Sequence, residues 1–152
     1  MKAKDIMTDN VICKDSDSSL SEVAEAMKAN DIGLIPILEK NKIIGVITDR
    51  DIIIRCLVNN ADNDTKAIKY VTSEIVTVSP EDDIEKVVNL MQEHQIKRIL
   101  VVDNNKIAGI IALADLINRN DDETLVLNTI TNIYRPKSIE NENEPEVDDY
   151  PL

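Results

Sequence analysis

The sequence predicts an α/β (α+β) protein built from two similar β-α-β-β-α units, and three observations carry this prediction. A short motif at Gly45–Asp51, GVITDRD, returns 64 residues later at Gly109–Asp115 as GIIALAD. The same shift aligns residues 6–55 with 70–119 without a gap and gives 13 identities in 50 pairs. Within each copy, the apolar pattern changes from the period of a helix to the short β-rich runs of strands. An internal duplication explains all three observations.

The first copy opens with a lead-in segment at 1–9 and a short strand expected at Val11–Cys13. A helix should follow, because Ser19 and Glu22 have the spacing of a capping box, and it should end near Asn30. Residues at i, i+3, i+4 and i+7 should form its buried stripe. They are Leu20, Val23, Ala24 and Met27.

A β-hairpin and a second helix complete the first copy. Leu34–Leu38 and Ile43–Ile47 are β-rich, and Asn41 between them tolerates the positive φ of a tight turn. Asp49–Val58 has the composition of a helix, and Asn59–Asp64 is a polar loop. The second copy repeats this order.

The predicted organisation is a first repeat at 1–60, a second repeat at 61–120, a C-terminal helix within 121–135 and a disordered acidic tail at 136–152. The helix offers three apolar residues for packing, and these are Leu125, Ile130 and Ile133. The tail has six acidic residues against one lysine and little to bury, which is typical of disorder.

Composition excludes several partners. The 17 Lys and Arg residues against 29 Asp and Glu give a formal charge of −12, which repels nucleic acid and anionic membranes. Cys13 and Cys56 lie in apolar runs without metal-ligand spacing, so we expect reduced core residues and no metal site. No apolar run approaches the ~20 residues of a membrane span and no signal peptide is evident, so a cytoplasmic location is expected.

The sequence has little that resembles catalytic machinery, and we expect no catalytic residue. It has no Walker loop, no GxGxxG motif and no Ser/His/Asp set, and its one histidine, His94, is expected on the surface at a helix end. An enzyme with its chemistry in the unmatched segment 120–135 is the weaker alternative.

The repeated motif lies where a strand feeds a helix N-terminus, whose free N–H groups favour an anion. Thr48 and Asp51 have the spacing of an N-cap pair, which would stabilise a helix by about 0.5–2 kcal/mol with no ligand at all. Arg50 is either a solvated charge or a phosphate contact, since a cation in the first helical turn opposes the helix dipole.

Two units that each end in Gly-h-h-(Thr/Ser)-x-x-Asp resemble a tandem pair of CBS (cystathionine-β-synthase-type) domains, also called a Bateman module. The resemblance covers roughly residues 5–119. Its marks in the first copy are Asp5–Thr8, Leu34–Ile37 and Gly45–Asp51, and in the second copy Tyr70–Thr72, Arg98–Asp103 and Gly109–Asp115.

This resemblance implies that the units pack through their sheets about a pseudo-twofold axis and leave two clefts for adenosine-containing ligands. The motif Asp then binds ribose, the motif Thr binds ribose or phosphate, and apolar strand residues hold the base. By position, these roles in the first cleft fall on Asp51, Thr48, Ile12 and Pro36. Arg98 stands where the family often has a phosphate-binding Arg. The alternative is that Lys97 and Arg98 are only an exposed basic pair at a strand start, and Arg98 is the better candidate of the two for a ligand contact.

The second junction keeps only Asp115, because Ala112 replaces the Thr and Leu100 replaces the Pro. We therefore expect one tight nucleotide per chain, in the first cleft, with Arg98 reaching across to it. On that basis, Asp51→Ala should weaken binding roughly tenfold and Asp115→Ala should change it little.

The expected function is that of a non-catalytic regulatory protein that binds AMP, ADP, ATP, S-adenosylmethionine or an NAD-type molecule, requires no cofactor, and signals occupancy to an unknown protein partner. The alternative is a constitutive dimerisation scaffold with empty clefts. A homodimer is expected in either case, because Leu20–Met27 and Ile84–Met91 carry more apolar residues than one sheet needs.

Overall fold

The structure, a computed structural model, describes residues 1–136, so the predicted acidic tail lies outside the described residues except for Pro136. The first part of the chain contains α1 (Ala3–Ile6), β1 (Lys14–Asp15), α2 (Leu20–Asn30), β2 (Leu34–Glu39), β3 (Lys42–Thr48) and α3 (Asp49–Asp51), which continues as a π-helix over Ile52–Leu57. After a 3₁₀ turn at Ala67–Tyr70 come β4 (Thr77–Val78), α4 (Ile84–Glu93), β5 (Arg98–Asp103), β6 (Lys106–Ala112), α5 (Leu113–Arg119) and α6 (Glu123–Ile133).

Each unit contains a three-stranded sheet with the same topology, which confirms the predicted fold class. In the first sheet, β1 pairs in parallel with β2, and β2 pairs antiparallel with β3. The second sheet repeats this arrangement with β4, β5 and β6. No helix within residues 1–136 is both long enough and apolar enough to cross a bilayer.

Both hairpins turn through two residues with positive φ, as the Asn positions predicted. Lys40 and Asn41 have φ of 50° and 62°, and Asn104 and Asn105 have φ of 49° and 63°. Two successive positive φ angles characterise the type I′ turn, whose twist matches that of the flanking strands. The turns fix the pairing next to them, Glu39 with Lys42 and Asp103 with Lys106, and each strand pair then shifts register by one residue, after Leu38 and after Val102 toward the far end of the hairpin.

The strand predicted at Val11–Cys13 is wrong by position, because β1 begins only at Lys14. Its partner strand explains the difference. Pro36 has no N–H to offer the ladder, and pairing begins at the next residue, Lys14 with Ile37. In the second unit, Leu100 stands at the position of Pro36, and there β4 pairs with it directly through Thr77.

Helix α2 confirms the predicted cap and end but only part of the predicted stripe. The Ser19 hydroxyl accepts from the Glu22 N–H at 3.1 Å, and the Glu22 carboxylate accepts from the Ser19 N–H at 2.8 Å. The prediction that Ala24 is buried is wrong, because it faces solvent while Ala26 packs against the core. The buried residues of the stripe are Leu20, Val23 and Met27.

The helix predicted at Asp49–Val58 is present, but it changes to π-helical winding at Ile52. Ile52–Ile54 are three consecutive β-branched residues, which crowd the preceding turn of an α-helix. The matching residues Leu116–Asn118 include only one β-branched side chain, and α5 remains α-helical throughout.

The segments that lead into each repeat pack on the opposite unit. Ala3 and Ile6 of α1 are buried in the core of the second unit, whereas Ala67 of the linker is buried in the core of the first. The Ala3 N–H donates to the Asp82 carbonyl at 2.9 Å, and the Ala67 N–H donates to the Ser18 carbonyl at 2.9 Å. The two units are thus joined by crossed segments as well as by their sheets.

The crossed segments run along the outer strands of the opposite hairpins. Thr72 exchanges backbone hydrogen bonds of 2.9 and 3.0 Å with Val46, and Thr8 exchanges bonds of 2.8 and 3.0 Å with Ile110. Gly45 is required beside this contact, since a Cβ there would overlap the Val71 side chain and the Thr72 carbonyl.

The predicted C-terminal helix is confirmed as α6, which packs on α4 and α5 of the second unit. Asp122 caps it by accepting from the Leu125 N–H at 2.9 Å. Thr129 is fully buried and donates to the Leu125 carbonyl, and Gln92 of α4 donates to the Thr129 hydroxyl at 3.2 Å. Ile133 closes the core at the end of the helix.

Candidate functional site

The first strand-to-helix junction is a closed ring of hydrogen bonds. Oδ2 of Asp51 accepts from the N–H and the hydroxyl of Thr48, both at 2.9 Å, and the Asp51 N–H donates to the Thr48 hydroxyl at 3.1 Å. The Asp51 side chain is 20% exposed. Its second oxygen, Oδ1, lies 3.7 Å from Arg55 and retains lone pairs for a further donor.

The second junction has the same backbone shape with one hydrogen-bonding group fewer. Oδ2 of Asp115 accepts from the Ala112 N–H at 2.7 Å, and no hydroxyl stands at residue 112. The side chain is 17% exposed, and Oδ1 lies 3.8 Å from Arg119. Asp115 therefore offers more free acceptor capacity than Asp51.

A cavity of about 190 Å³ lies beside the second junction, and we call it the Arg98–Asp115 cavity. Asp115 and Arg98 are its charged residues. Its remaining lining comes from both units and is apolar except for Thr8 and Asn10: Thr8, Asn10, Val11, Ile12, Ile32, Leu34, Ile110 and Ala112. An apolar pocket with a few convergent polar groups is the usual form of a small-molecule site.

The structure brings together three of the predicted site residues, Ile12, Arg98 and Asp115, in this cavity. The predicted grouping of Arg98 and Ile12 with Asp51 stays a prediction. Arg98 is the strand partner of Ala112 in the β5–β6 pair, so it lies at the junction of its own unit. Ile12 follows Thr8 in the same segment, and both residues line this cavity.

The other predicted residues lie at or near the first junction. Thr48 and Asp51 are half-buried and bonded to each other. Pro36 is buried in β2, where it pairs with Val46. Arg50 is exposed, and its N–H donates to the Asp49 carboxylate at 2.8 Å.

Sequence reasoning missed seven of the ten cavity residues, partly because it did not foresee that the lead-in segment crosses to the second unit. They are Thr8, Asn10, Val11, Ile32, Leu34, Ile110 and Ala112. The hairpin turn contained only part of the signal for Arg98. The two-residue turn at Asn104 and Asn105 pairs Asp103 with Lys106, which would place residue 98 opposite residue 111, and the register shift between Val101 and Val102 moves it opposite residue 112.

Neither cysteine has the properties of a reactive thiol. Burial raises the pKa of the Cys13 thiol, and burial likewise raises the pKa of Cys56, with the Arg55 charge opposing the shift. Cys56 is 2% exposed. Within residues 1–136, no three His, Cys, Asp or Glu side chains are grouped so that they could hold a metal ion.

Comparison with known proteins identifies the family. The family model of the CBS domain matches residues 3–57 and 66–122, one match for each unit. The chain belongs to the CBS domain family. The two matches cover both junctions and both hairpins, and α6 follows the second match.

The CBS pair is similar to two curated bacterial proteins. It is 35% identical to the CBS domain-containing protein YhcV of Bacillus subtilis over an alignment of 122 residues, and this alignment covers 80% of this chain and 87% of that protein. It is 32% identical to Hypoxic response protein 1 of Mycobacterium tuberculosis over an alignment of 126 residues, and this alignment covers 82% of this chain and 88% of that protein.

Solved structures of CBS pairs share the fold. The crystal structure of Hypoxic Response Protein I, with two coordinated zinc ions, superposes with a TM-score of 0.72 over 78% of this chain and 98% of that chain, at 32% identity. The CBS domain pair of protein MJ0100, in complex with 5′-methylthioadenosine and S-adenosylmethionine, superposes with a TM-score of 0.69 over 77% and 93% of the two chains, at 25% identity.

Proposed function

We propose that this CBS pair is a non-catalytic regulatory protein that binds a phosphate-bearing adenosine ligand in the Arg98–Asp115 cavity. The observation that carries the proposal is the cavity itself, which combines an apolar lining with one guanidinium and one carboxylate that can accept further hydrogen bonds. The adenosine-type ligands of the similar MJ0100 pair support the ligand class. Occupancy reaches a protein partner only if the ligand favours one conformation of the pair over another.

Each part of such a ligand has a suitable counterpart in the cavity. The apolar side chains of Ile12, Ile32 and Ile110 suit the faces of a base. The Oδ1 atom of Asp115 suits a ribose hydroxyl, which would donate to it. The volume of about 190 Å³ is below the usual 300–1,000 Å³ of ligand pockets, so the phosphate end extends past Arg98 toward solvent.

The charges favour a nucleotide over S-adenosylmethionine and a short phosphate chain over a long one. Arg98 attracts a phosphate and repels the sulfonium cation of S-adenosylmethionine. The formal charge of −12 opposes the approach of a polyphosphate, and the cavity has one arginine to offset it. AMP is therefore the preferred probe, with ADP and ATP weaker.

Titration calorimetry with AMP, adenosine and S-adenosylmethionine tests the proposal. Arg98→Leu installs the residue that the first unit has at the equivalent position, Leu34. Loss of a charge-assisted hydrogen bond worth about 1.5–3 kcal/mol should weaken AMP binding roughly 10- to 150-fold and leave adenosine binding nearly unchanged. Absence of saturable binding by the unmodified protein would refute the proposal.

The same titration decides between the two junctions. The sequence-based expectation places the tight site at Asp51, Thr48 and Arg50, whereas the cavity favours Asp115. Asp51→Ala and Asp115→Ala are a matched pair, since each removes one motif carboxylate. A larger loss of AMP affinity in Asp115→Ala supports the Arg98–Asp115 cavity, and a larger loss in Asp51→Ala supports the original assignment.

A homodimerisation role is the second candidate, and an exposed apolar patch favours it. The patch consists of Ile53, Ile54, Leu57 and Val58, which are 41–72% exposed. The helices first expected to pair, at Leu20–Met27 and Ile84–Met91, instead bury their apolar residues within their own units. In the second repeat, the positions equivalent to 54, 57 and 58 are Asn118, Asp121 and Asp122, so the fold does not require apolar residues there.

Light scattering at micromolar concentration tests the dimer. Leu57→Asp, which copies the residue of the second repeat, should convert a twofold-symmetric dimer to a monomer by placing a charge in the patch. Leu127→Asp is the matched control, because Leu127 is a 64% exposed leucine on α6, which packs on the second unit. Equal masses for Leu57→Asp and the unmodified protein would exclude this face as the interface.

A further inference from the structure

Arg55 and Arg119 occupy equivalent positions in the two units, and each contacts the motif carboxylate of its own unit and a backbone carbonyl of a crossed segment. Arg55 Nη1 lies 3.7 Å from Oδ1 of Asp51 and donates to the Tyr70 carbonyl at 2.9 Å. Arg119 Nη2 lies 3.8 Å from Oδ1 of Asp115. In each unit, one guanidinium therefore contacts both the motif carboxylate and a segment distant in sequence.

The distant segment at Arg119 is the lead-in of the chain. Arg119 Nη1 donates to the carbonyls of Ile6 at 2.9 Å and Met7 at 3.2 Å, more than 110 residues away in the sequence. Thr8 follows immediately and begins the wall of the Arg98–Asp115 cavity. Arg119 thus contacts both Asp115 and the lead-in, two parts of the chain that contribute to one cavity.

The lead-in is held to the second unit by two buried side chains, by backbone hydrogen bonds and by exposed ion pairs. Helix α1 has four residues, of which Ala3 and Ile6 are buried. Its ion pairs, Lys2 with Asp83 and Lys4 with Glu81, are exposed, and such pairs contribute little to stability. A short element with few buried contacts opens locally more easily than the core, so its docking is sensitive to Arg119.

We propose that Arg119 is a positioning residue that couples the state of Asp115 to the docking of the lead-in, so that residues 1–8 are the segment through which occupancy of the cavity is transmitted. This inference rests on the proposed nucleotide function for its physiological input, while the coupling itself needs no ligand. A ligand bound between Asp115 and the wall at Thr8–Ile12 stabilises the docked lead-in, and by reciprocity a docked lead-in strengthens ligand binding.

Hydrogen exchange of the Thr8 amide reports the docking directly, because this amide donates to the Ile110 carbonyl of the second unit at 2.8 Å. A ligand-free double-mutant cycle compares Asp115→Asn, Arg119→Met and the double variant. Asparagine keeps an oxygen acceptor for the Ala112 N–H and removes the charge. Asp115→Asn alone should accelerate exchange about two- to fivefold, and it should add nothing in the Arg119→Met background.

Two further variants separate positioning from general stabilisation. Arg119→Lys keeps the charge but replaces the two-pronged guanidinium by a single ammonium, so exchange at Thr8 should remain accelerated. Arg55→Met is the matched control, since Arg55 contacts Tyr70 and not the lead-in. Additive effects in the cycle, full rescue by lysine, or equal acceleration by Arg55→Met would each overturn the coupling.

Saturating AMP completes the experiment and separates this inference from the proposed function. AMP should slow exchange at Thr8 in the unmodified protein and fail to slow it in Arg119→Met, while calorimetry shows that the variant still binds AMP. A slowing of equal size in Arg119→Met overturns the coupling. If the protein does not bind AMP, the nucleotide proposal is refuted. If the double-mutant cycle is nevertheless non-additive, the coupling between Asp115 and the lead-in remains supported.

Discussion

The hydroxyl that distinguishes the two junctions should have a measurable effect on stability in the absence of ligand. Thr48→Ala removes two hydrogen bonds, the one that the Asp51 N–H donates at 3.1 Å and the one that Thr48 donates to Asp51 at 2.9 Å. N-cap replacements by alanine cost about 0.5–2 kcal/mol. Because the site is only half-buried, we expect about 1 kcal/mol, which for a chain of this size is a decrease in Tm of about 2–4 °C.

The second junction provides the reciprocal test. Ala112→Thr installs a hydroxyl where the Asp115 N–H has no side-chain cap. The backbone at residue 112 already has the extended cap conformation, with φ −98° and ψ 159°, close to −111° and 162° at Thr48. The added hydroxyl should therefore stabilise the protein by up to about 1 kcal/mol, and the double exchange should restore stability close to its original value.

Urea unfolding followed by circular dichroism measures these changes, with Thr48→Ser as the control that keeps the hydroxyl. Thr48→Ser should shift the free energy of unfolding by less than about 0.5 kcal/mol. If Thr48→Ala leaves the midpoint unchanged, the ring of hydrogen bonds does not cap the helix, and Thr48 is then explained only by a ligand. Loss of stability in Ala112→Thr would show that the wall of the Arg98–Asp115 cavity at residue 112 has no space for a hydroxyl and a methyl group.

Three further predictions concern stability, pH and thiol chemistry. Gly45→Ala should lower the free energy of unfolding by about 1–3 kcal/mol, and by more than Gly109→Ala. The added Cβ at Gly45 would overlap the Thr72 backbone, whereas at Gly109 it would first meet the flexible Met7 side chain. Urea unfolding of the two variants measures the difference. The Ser79 N–H and Lys86 hold the pKa of Asp82 below its usual value, so its contribution to stability is present above about pH 4 and is lost as pH falls through the folded-state pKa. Asp82→Asn should therefore flatten the acid limb of the stability profile, and an unchanged limb would contradict this. Burial raises the pKa of both cysteines, so maleimide should label Cys13 slowly and Cys56 only after unfolding, whereas rapid labelling of Cys56 in native protein would contradict its burial.

The repeat made most of the fold predictable, because local signals and the duplication agreed. The capping box at Ser19, the hairpin turn at Asn41 and the apolar runs of the strands each fixed an element, and the second copy supported each reading. The errors arose where one element depends on another. Pro36 delays the start of β1, and the Ile52–Ile54 run changes the winding of the helix after α3.

The candidate site was harder to predict because it is assembled from both units. Motif positions identified Asp51 and Asp115 correctly as the carboxylates of the two junctions. Their surroundings depend on the crossing of the lead-in, for which the sequence has no local signal: residues 1–9 read equally well as part of the first unit. The contact of Ala3 and Ile6 with the second core appears only in three dimensions.

The two copies separate what the fold requires from what remains free for function. Gly45 and Gly109, Asp51 and Asp115, and Arg55 and Arg119 are identical pairs, and each has the same structural task in both units: a close backbone approach, a helix cap or a bridge to the crossed segment. A residue that differs between the copies while the backbone stays the same is not demanded by that backbone.

Two such differences coincide with features that the fold does not explain. Leu34 and Arg98 both begin the middle strand of their sheets, yet the second is a cation in a cavity. Leu57 and Asp121 follow the same junction, yet the first is a 69% exposed apolar side chain. Arg98 is exposed at the mouth of the cavity, so its charge stays hydrated and available to a ligand, whereas Leu57 belongs to an exposed apolar patch that costs solubility unless a partner covers it. Their presence in one copy each is the physical reason to propose ligand binding beside Arg98 and self-association at the patch around Leu57, rather than equally in both units.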